Sequence, residues 1–173
     1  MTDKEVRLQG LPPVVNEACK TLVLGSMPGA LSLSKQEYYG HPRNHFWPLI
    51  YKLYGGGASP NDQYGERLAF VLKHKIALWD VLGTCVREGS LDADIREPEE
   101  NDFAAFFRDY PAVERVFFNG QAAEQLYRKR VLPRLQAIGL GKELRYRTFP
   151  SSSPARTMTL DAKLAIWCEL ADN

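Results

Sequence analysis

Apolar residues along the chain come either in short bursts or at intervals of three and four. The run Thr21–Gly25 reads as a short buried strand. Residues 44–54 carry Phe46, Trp47, Ile50, Tyr51 and Tyr54 on one face of a helix, which Gly55-Gly56-Gly57 stops. Residues 61–73 predict a further helix, with Leu68, Val71 and Leu72 inward. Residues 76–82 form a second strand interrupted by one charge, Asp80. A loop from Gly83 to about Pro98 follows, then a helix over 102–109. Residues 113–118 predict the third strand, 121–132 the helix behind it, and 144–149 a fourth strand, polar enough for an edge. Thr159 caps a last helix whose inward positions are Leu160, Leu164, Trp167, Cys168 and Ala171. Residues 1–18, with Pro12-Pro13, read as an irregular lead-in.

Strand–helix alternation four times over implies a three-layer α/β/α sandwich: a central four-stranded, mostly parallel sheet with helices on both faces. Its length suits a single domain over residues 1–173. In such sheets ligands bind beyond the carboxyl ends of the strands. The loops 25–44, 80–96, 119–121 and 150–158 all follow predicted strands, so they should converge on one edge.

Composition narrows the class only slightly. No apolar run approaches the roughly 18–20 residues that cross a bilayer, and Met1-Thr2-Asp3-Lys4-Glu5 lacks the basic and apolar regions of a secretory signal. A cytoplasmic protein with no membrane contact is expected. Cys19, Cys85 and Cys168 are far apart and in no CxxC spacing, so they read as reduced, partly buried thiols. His41, His45 and His74 have no metal-ligand spacing, and no metal or cofactor is expected. A net charge of +1 leaves nucleic-acid binding open, because that depends on a local face.

The chemistry concentrates after the first strand. Gly25-Ser26-Met27-Pro28-Gly29 is neither a P-loop nor a nucleophile elbow, since GxxxxGK[ST] and GxSxG are both absent from it. The loop then gathers Tyr38, Tyr39, His41 and Asn44 before the apolar helix. Adjacent tyrosines in a polar loop suit a wall on which a flat heterocycle stacks; Phe46 and Trp47 suit the core. Asn44 suits both an N-cap and a side chain projected at the sheet's mouth. Asp80 needs a partner if buried, and at its strand end it would face the site. Ser151-Ser152-Ser153, bracketed by Pro150 and Pro154, offers hydroxyls and amides to phosphate, or is simply a solvated turn.

Together these residues resemble the uracil-DNA glycosylase superfamily, and within it the hypoxanthine-DNA (deoxyinosine) glycosylase branch, its sixth family. The resemblance runs from about Thr21 to Trp167. It rests on Leu24 through Gly29, Tyr39, His41-Pro42, Asn44 and Phe46-Trp47, with support from residues 76–82, Gly89-Ser90-Leu91-Asp92, Phe118-Asn119-Gly120 and residues 150–155. Mismatch-specific relatives carry a catalytic Asn, and the main uracil branch an Asp, where this chain has Met27. Ser151 likewise replaces the His or Asn that opens the last motif. The resemblance therefore implies that Asn44 takes the catalytic role and that the substrate shifts from uracil toward a deaminated purine.

The resemblance further implies Tyr39 stacking on a flipped base, Ser26 and Met27 amides at its polar edge, and Asp80, if ionised, accepting an N–H. Ser151, Ser152 and Ser153 would hold phosphates, with Lys35, Arg43 and Arg156 as a basic rim and Arg156 as the plug in the base stack. The resemblance implies DNA containing a deaminated base as the partner, and a monomer. The rival readings are a mismatch-type uracil enzyme of the same fold, a catalytically inactive DNA-binding domain, and a small-molecule nucleobase hydrolase.

Overall fold

The computed structural model describes residues 5–172. The chain runs β1 (Arg7–Gln9), β2 (Thr21–Gly25), α1 (Ala30–Lys35), α2 (Phe46–Tyr54), α3 (Tyr64–Lys73), β3 (Ile76–Asp80) and β4 (Leu82–Val86). A 3₁₀ turn at Asp92–Asp94 leads into β5 (Arg96–Glu100), α4 (Phe103–Asp109), β6 (Arg115–Asn119), α5 (Gln121–Arg130) and α6 (Leu132–Ala137). The chain closes with β7 (Arg145–Phe149), α7 (Leu160–Trp167) and a second 3₁₀ turn, Cys168–Ala171.

Strands β3, β2, β6 and β7, in that spatial order, make an all-parallel sheet. Alternation along each strand builds two cores. Leu22, Leu24, Ala77, Trp79, Val116 and Phe118 pack against α4, α5 and α6 on one face. Val23, Ile76, Leu78 and Phe117 pack against α2, α3 and α7 on the other. Burying one such side chain as fully as Phe118 stabilises the fold by roughly 1.5–3 kcal/mol. The three-layer sandwich and the edge position of β7 follow the sequence pattern. Among the described residues no helix is long and apolar enough to cross a membrane.

A second sheet departs from the expectation. The strand predicted over 76–82 breaks at Val81: its N–H still reaches Gly25 (2.9 Å), and that of Leu82 reaches Ser26 (3.0 Å). The chain then swings into an antiparallel sheet of order β1-β4-β5. The predicted loop from Gly83 to Pro98 thus contains β4 and the start of β5. The β5 sequence, Arg-Glu-Pro-Glu-Glu, carries no apolar signal; backbone pairing and the Arg7–Glu99 ion pair (3.2 Å) hold it in place. The lead-in is not irregular throughout either. Arg7–Gln9 pairs with β4, and Val14 exchanges two 2.9 Å backbone bonds with Leu78. Residues 1–4 of that segment lie outside the described residues.

Helix ends moved for local reasons. Asn61 accepts the Gln63 N–H in a tight turn (2.8 Å), so α3 begins only at Tyr64. The helix predicted over 121–132 splits at Val131, because Pro133 lacks an N–H and suits only the first turn of a new helix. Beyond Trp167 the tighter 3₁₀ pitch rotates the inward face. Leu170 is therefore buried, while Cys168 and Ala171, expected inward, are exposed. Cys19 and Cys85 are buried free thiols.

Candidate active site

The carboxyl ends of β2, β3, β6 and β7 meet over one cleft, as the four strand-following loops predicted. At its floor Gly25 pairs in register with Asp80. A Cβ on Gly25 would stand 2.5 Å from Asp80 Oδ1 and 3.9 Å from the Tyr39 hydroxyl. The missing side chain therefore lets a carboxyl and a phenol reach over the strand end. Asp80 is 4 % exposed, and neither its Oδ2 nor the Tyr39 hydroxyl has a partner among the described residues. Burial above all, then the nearby Asp92 charge, lifts the Asp80 carboxyl to about 7, with Arg87 opposing. Burial and Asp80 likewise push the Tyr39 phenol up.

The two tyrosines part company. Tyr38 is core: its hydroxyl donates to Pro12 (2.8 Å) and its carbonyl accepts the Trp47 indole N–H (3.0 Å). Tyr39 has a left-handed backbone (φ 55°), uncommon for a bulky residue and a source of strain of about 1–3 kcal/mol. Its ring stacks on buried Phe46, with centroids 4.0 Å apart, which helps to fix that conformation at the cleft.

Asn44 sits two residues before α2. Its Oδ1 accepts the Phe46 N–H (2.9 Å), and its own N–H donates to His41 (2.9 Å). The side chain thus caps from one position ahead of His45, the N-cap of α2. That bond orients the amide and leaves Nδ2 without a protein partner among the described residues, at the cleft lining. Next along the chain, the His45 N–H donates to the Ser152 carbonyl (2.9 Å), locking this turn to the serine loop.

Ser152 is a brace. At 1 % exposure, its hydroxyl accepts from Asn119 Nδ2 and its N–H donates to Asn119 Oδ1, both at 2.8 Å. With its carbonyl also taken by His45, Ser152 keeps only its buried hydroxyl hydrogen for a phosphate. Ser151 and Ser153 flank the cleft beside it. Ser26 turns its hydroxyl to Asp92 Oδ1 (2.5 Å), and Met27 is a buried lining residue.

A shallower groove continues from the cleft through Asn44 and Pro154, which border both, and carries Arg43 and Arg156 on its walls. Lys35 is outside both linings and donates to the Gly40 carbonyl (2.9 Å). Beneath the serine loop lies Lys163, 0 % exposed, whose ammonium donates to the Ser153 carbonyl (3.3 Å). Burial, then Arg156, pulls the Lys163 amine down; burial and Lys163 pull down the His45 imidazole.

Four groups escaped the sequence reading as site residues: Asn119, Asp92, Arg87 and Lys163. Asn119 could have been found, since it ends a strand where sites form. Asp92 reaches Ser26 only because the second sheet folds its loop back. Arg87 donates to Pro28 (2.7 Å) and Gly89 (2.9 Å), tying the glycine turn to that loop. A lysine in an amphipathic helix normally marks the solvated face, so Lys163 gave no signal.

Comparison with known proteins agrees with this geometry. Residues 12–171 match the model of the uracil DNA glycosylase superfamily. A hypoxanthine DNA glycosylase of Methanosarcina barkeri (strain Fusaro / DSM 804) is 35% identical over 164 residues, spanning 95% of this chain and 98% of the relative. One of Methanosarcina acetivorans is 38% identical over 148 residues, 85% of this chain and 87% of the relative. The solution NMR structure of a candidate uracil DNA glycosylase from Methanosarcina acetivorans superposes with a TM-score of 0.74 at 32% identity, covering 95% of this chain and 99% of that one. The chain belongs to the uracil DNA glycosylase superfamily.

Proposed function

We propose that the protein is a monofunctional DNA glycosylase that releases hypoxanthine from deoxyinosine-containing DNA after flipping the nucleotide out of the duplex. The observation that carries this reading is the cleft itself: an oriented amide, an aromatic face and a buried carboxyl converge there, within the stretch the superfamily model matches. The two relatives named hypoxanthine DNA glycosylases support the choice of base. A weakly paired deaminated base is the least costly to extrude, and only an extruded base reaches a floor this deep.

The chemistry divides among residues of one chain, acting as a monomer. Tyr39, backed by Phe46, stacks on the flipped base, and the amides of Ser26 and Met27 meet its polar edge with Asp80 beneath. Asn44 holds the attacking water: Nδ2 donates to the water oxygen, and the second lone pair of Oδ1 accepts one of its protons. An amide is a poor base, so it orients the water near the sugar carbon, and the rate must come largely from stabilising the leaving base. Ser151 and Ser153 hold phosphates, Arg43 and Arg156 line the strand's path along the shallow groove, Arg156 plugs the base stack, and Lys35 adds charge further out.

Incubating the pure protein with deoxyinosine and deoxyuridine duplexes under single-turnover conditions tests the reading. Free base and alkali-labile strands from deoxyinosine are expected; binding without release would leave a DNA-binding domain, and release of uracil alone a uracil enzyme. The groove makes its own prediction. If Arg43 and Arg156 each neutralise one phosphate, the double change Arg43→Ala/Arg156→Ala should weaken binding and flatten the plot of log affinity against log salt by about 2. Fluorescence anisotropy across a salt series measures it, and an unchanged slope would show that neither arginine neutralises a phosphate.

A further inference from the structure

The floor of the cleft holds a carboxyl group placed for its neutral form. Asp80 ends β3, its Oδ1 packs over the bare Gly25, and its Oδ2 is buried without a protein partner. An ionised oxygen in that position would lack both solvent and a donor, which is expensive. The charged and titratable groups around it come from three segments. Asp92 faces it from the 3₁₀ turn after β4, Tyr38 and Tyr39 from the loop after α1, and Arg87 from the end of β4. Arg87 commits Nε and Nη2 to the carbonyls of Gly89 and Pro28, while its Nη1, like the Tyr39 hydroxyl, is buried without a partner among the described residues and so makes no hydrogen bond to Asp80. The Asn101 amide donates to the Asp80 backbone carbonyl (2.8 Å), not to its carboxyl. Among the described residues no donor is hydrogen-bonded to this carboxyl, and Asp92 adds a second carboxylate nearby, only partly offset by the Arg87 charge.

We propose that Asp80 enters the reaction as a neutral carboxylic acid and gives its proton to the departing base, making it the general acid of the site rather than an acceptor that reads an N–H. This rests on the reading of the protein as a hypoxanthine glycosylase. Cleavage of the C1′–N9 bond leaves the electron pair on the purine. Hypoxanthine carries the same N7 and O6 acceptors as guanine on its major-groove edge, and the proton of the Asp80 carboxyl moves to that edge, so the base departs neutral. The water held at Asn44 supplies hydroxide to C1′, and its remaining proton returns through solvent to the Asp80 carboxylate. One water is consumed, one C–N bond is hydrolysed, and the acid is regenerated. The division of labour is consistent: an amide too weak to be a base is paired with an acid buried under the leaving group.

The burial-raised carboxyl, at about 7, fixes the pH window of the test. Single-turnover release of hypoxanthine by the full chain, followed from pH 5.5 to 9, is expected to be flat below about 7 and to fall about tenfold per pH unit above it. Asp80→Asn puts an N–H donor there at every pH, so slower release with no alkaline limb is expected. Asp80→Ala has neither and should fall about 10²–10³-fold at pH 6. Melting temperature provides a readout independent of activity. The folded carboxyl titrates above its unfolded value, so its contribution is fully present below about pH 4 and is lost as pH rises to about 7. The Asp80→Asn variant should therefore gain on the wild type through that window and hold its lead above it. Release that rises through pH 7, or an alkaline limb that survives in Asp80→Asn, would overturn the acid role while leaving the glycosylase reading intact. No release of hypoxanthine at any pH would sink both.

Discussion

Replacing Asn44 with alanine should lower single-turnover release of hypoxanthine about 10²–10³-fold, the usual cost of removing one preorganised catalytic contact. The same change removes the Phe46 N–H cap and should destabilise the fold by about 1 kcal/mol. These two effects separate in Asn44→Asp. A carboxylate still caps Phe46, so the melting temperature should recover, but it offers no N–H to the water and puts a negative charge beside the anionic phosphates. Activity should then stay low while stability returns. If both variants cleave deoxyinosine DNA at the wild-type rate, Asn44 is a helix cap and nothing more, and the water must be held elsewhere in the cleft.

Gly25→Ala should damage the site out of proportion to the one carbon it adds. The strand end is pinned: Gly25 pairs with Asp80, Leu24 beside it pairs with Phe118, and the Gly25 carbonyl accepts from Val81. With the backbone fixed, a methyl 2.5 Å from Asp80 Oδ1 must drive the carboxyl off its place. Overpacking of this kind typically costs about 1–3 kcal/mol in stability. Displacing the floor by even about 1 Å should cost on the order of 100-fold in rate. Thermal melts and single-turnover kinetics on one preparation measure both. A variant that melts earlier yet cleaves normally would mean that the carboxyl is not part of the reacting constellation.

The legible part of this molecule was what the sheet dictates. Alternation in Thr-Leu-Val-Leu-Gly, Ile-Ala-Leu-Trp-Asp and Arg-Val-Phe-Phe-Asn splits each strand between two helical layers, so the sandwich and the converging loops could be read directly. Asp80 stood out because a lone charge in an apolar run at a strand end has few structural uses. The second sheet was illegible for the opposite reason. Its β5 strand is almost entirely charged, and its β1 strand is three residues long, so both exist through backbone pairing that periodicity does not encode. The burial of Ser152 and Lys163 was not legible either, since serine between prolines suggests solvent and lysine suggests a wet helix face. Each is buried because the other elements close over it: Asn119 grips Ser152 from β6, and the serine loop covers Lys163.

The central claim is that this cleft hydrolyses the glycosidic bond of a flipped deoxyinosine, with Asn44 at the water. Its most direct test is chromatographic detection of free base after excess protein meets a deoxyinosine duplex, run beside Asn44→Ala. The account predicts stoichiometric free hypoxanthine from the wild type within one turnover and a release rate lower by at least about 100-fold in the variant. Equal release by both proteins, or tight binding of the duplex with no free base from either, would contradict it.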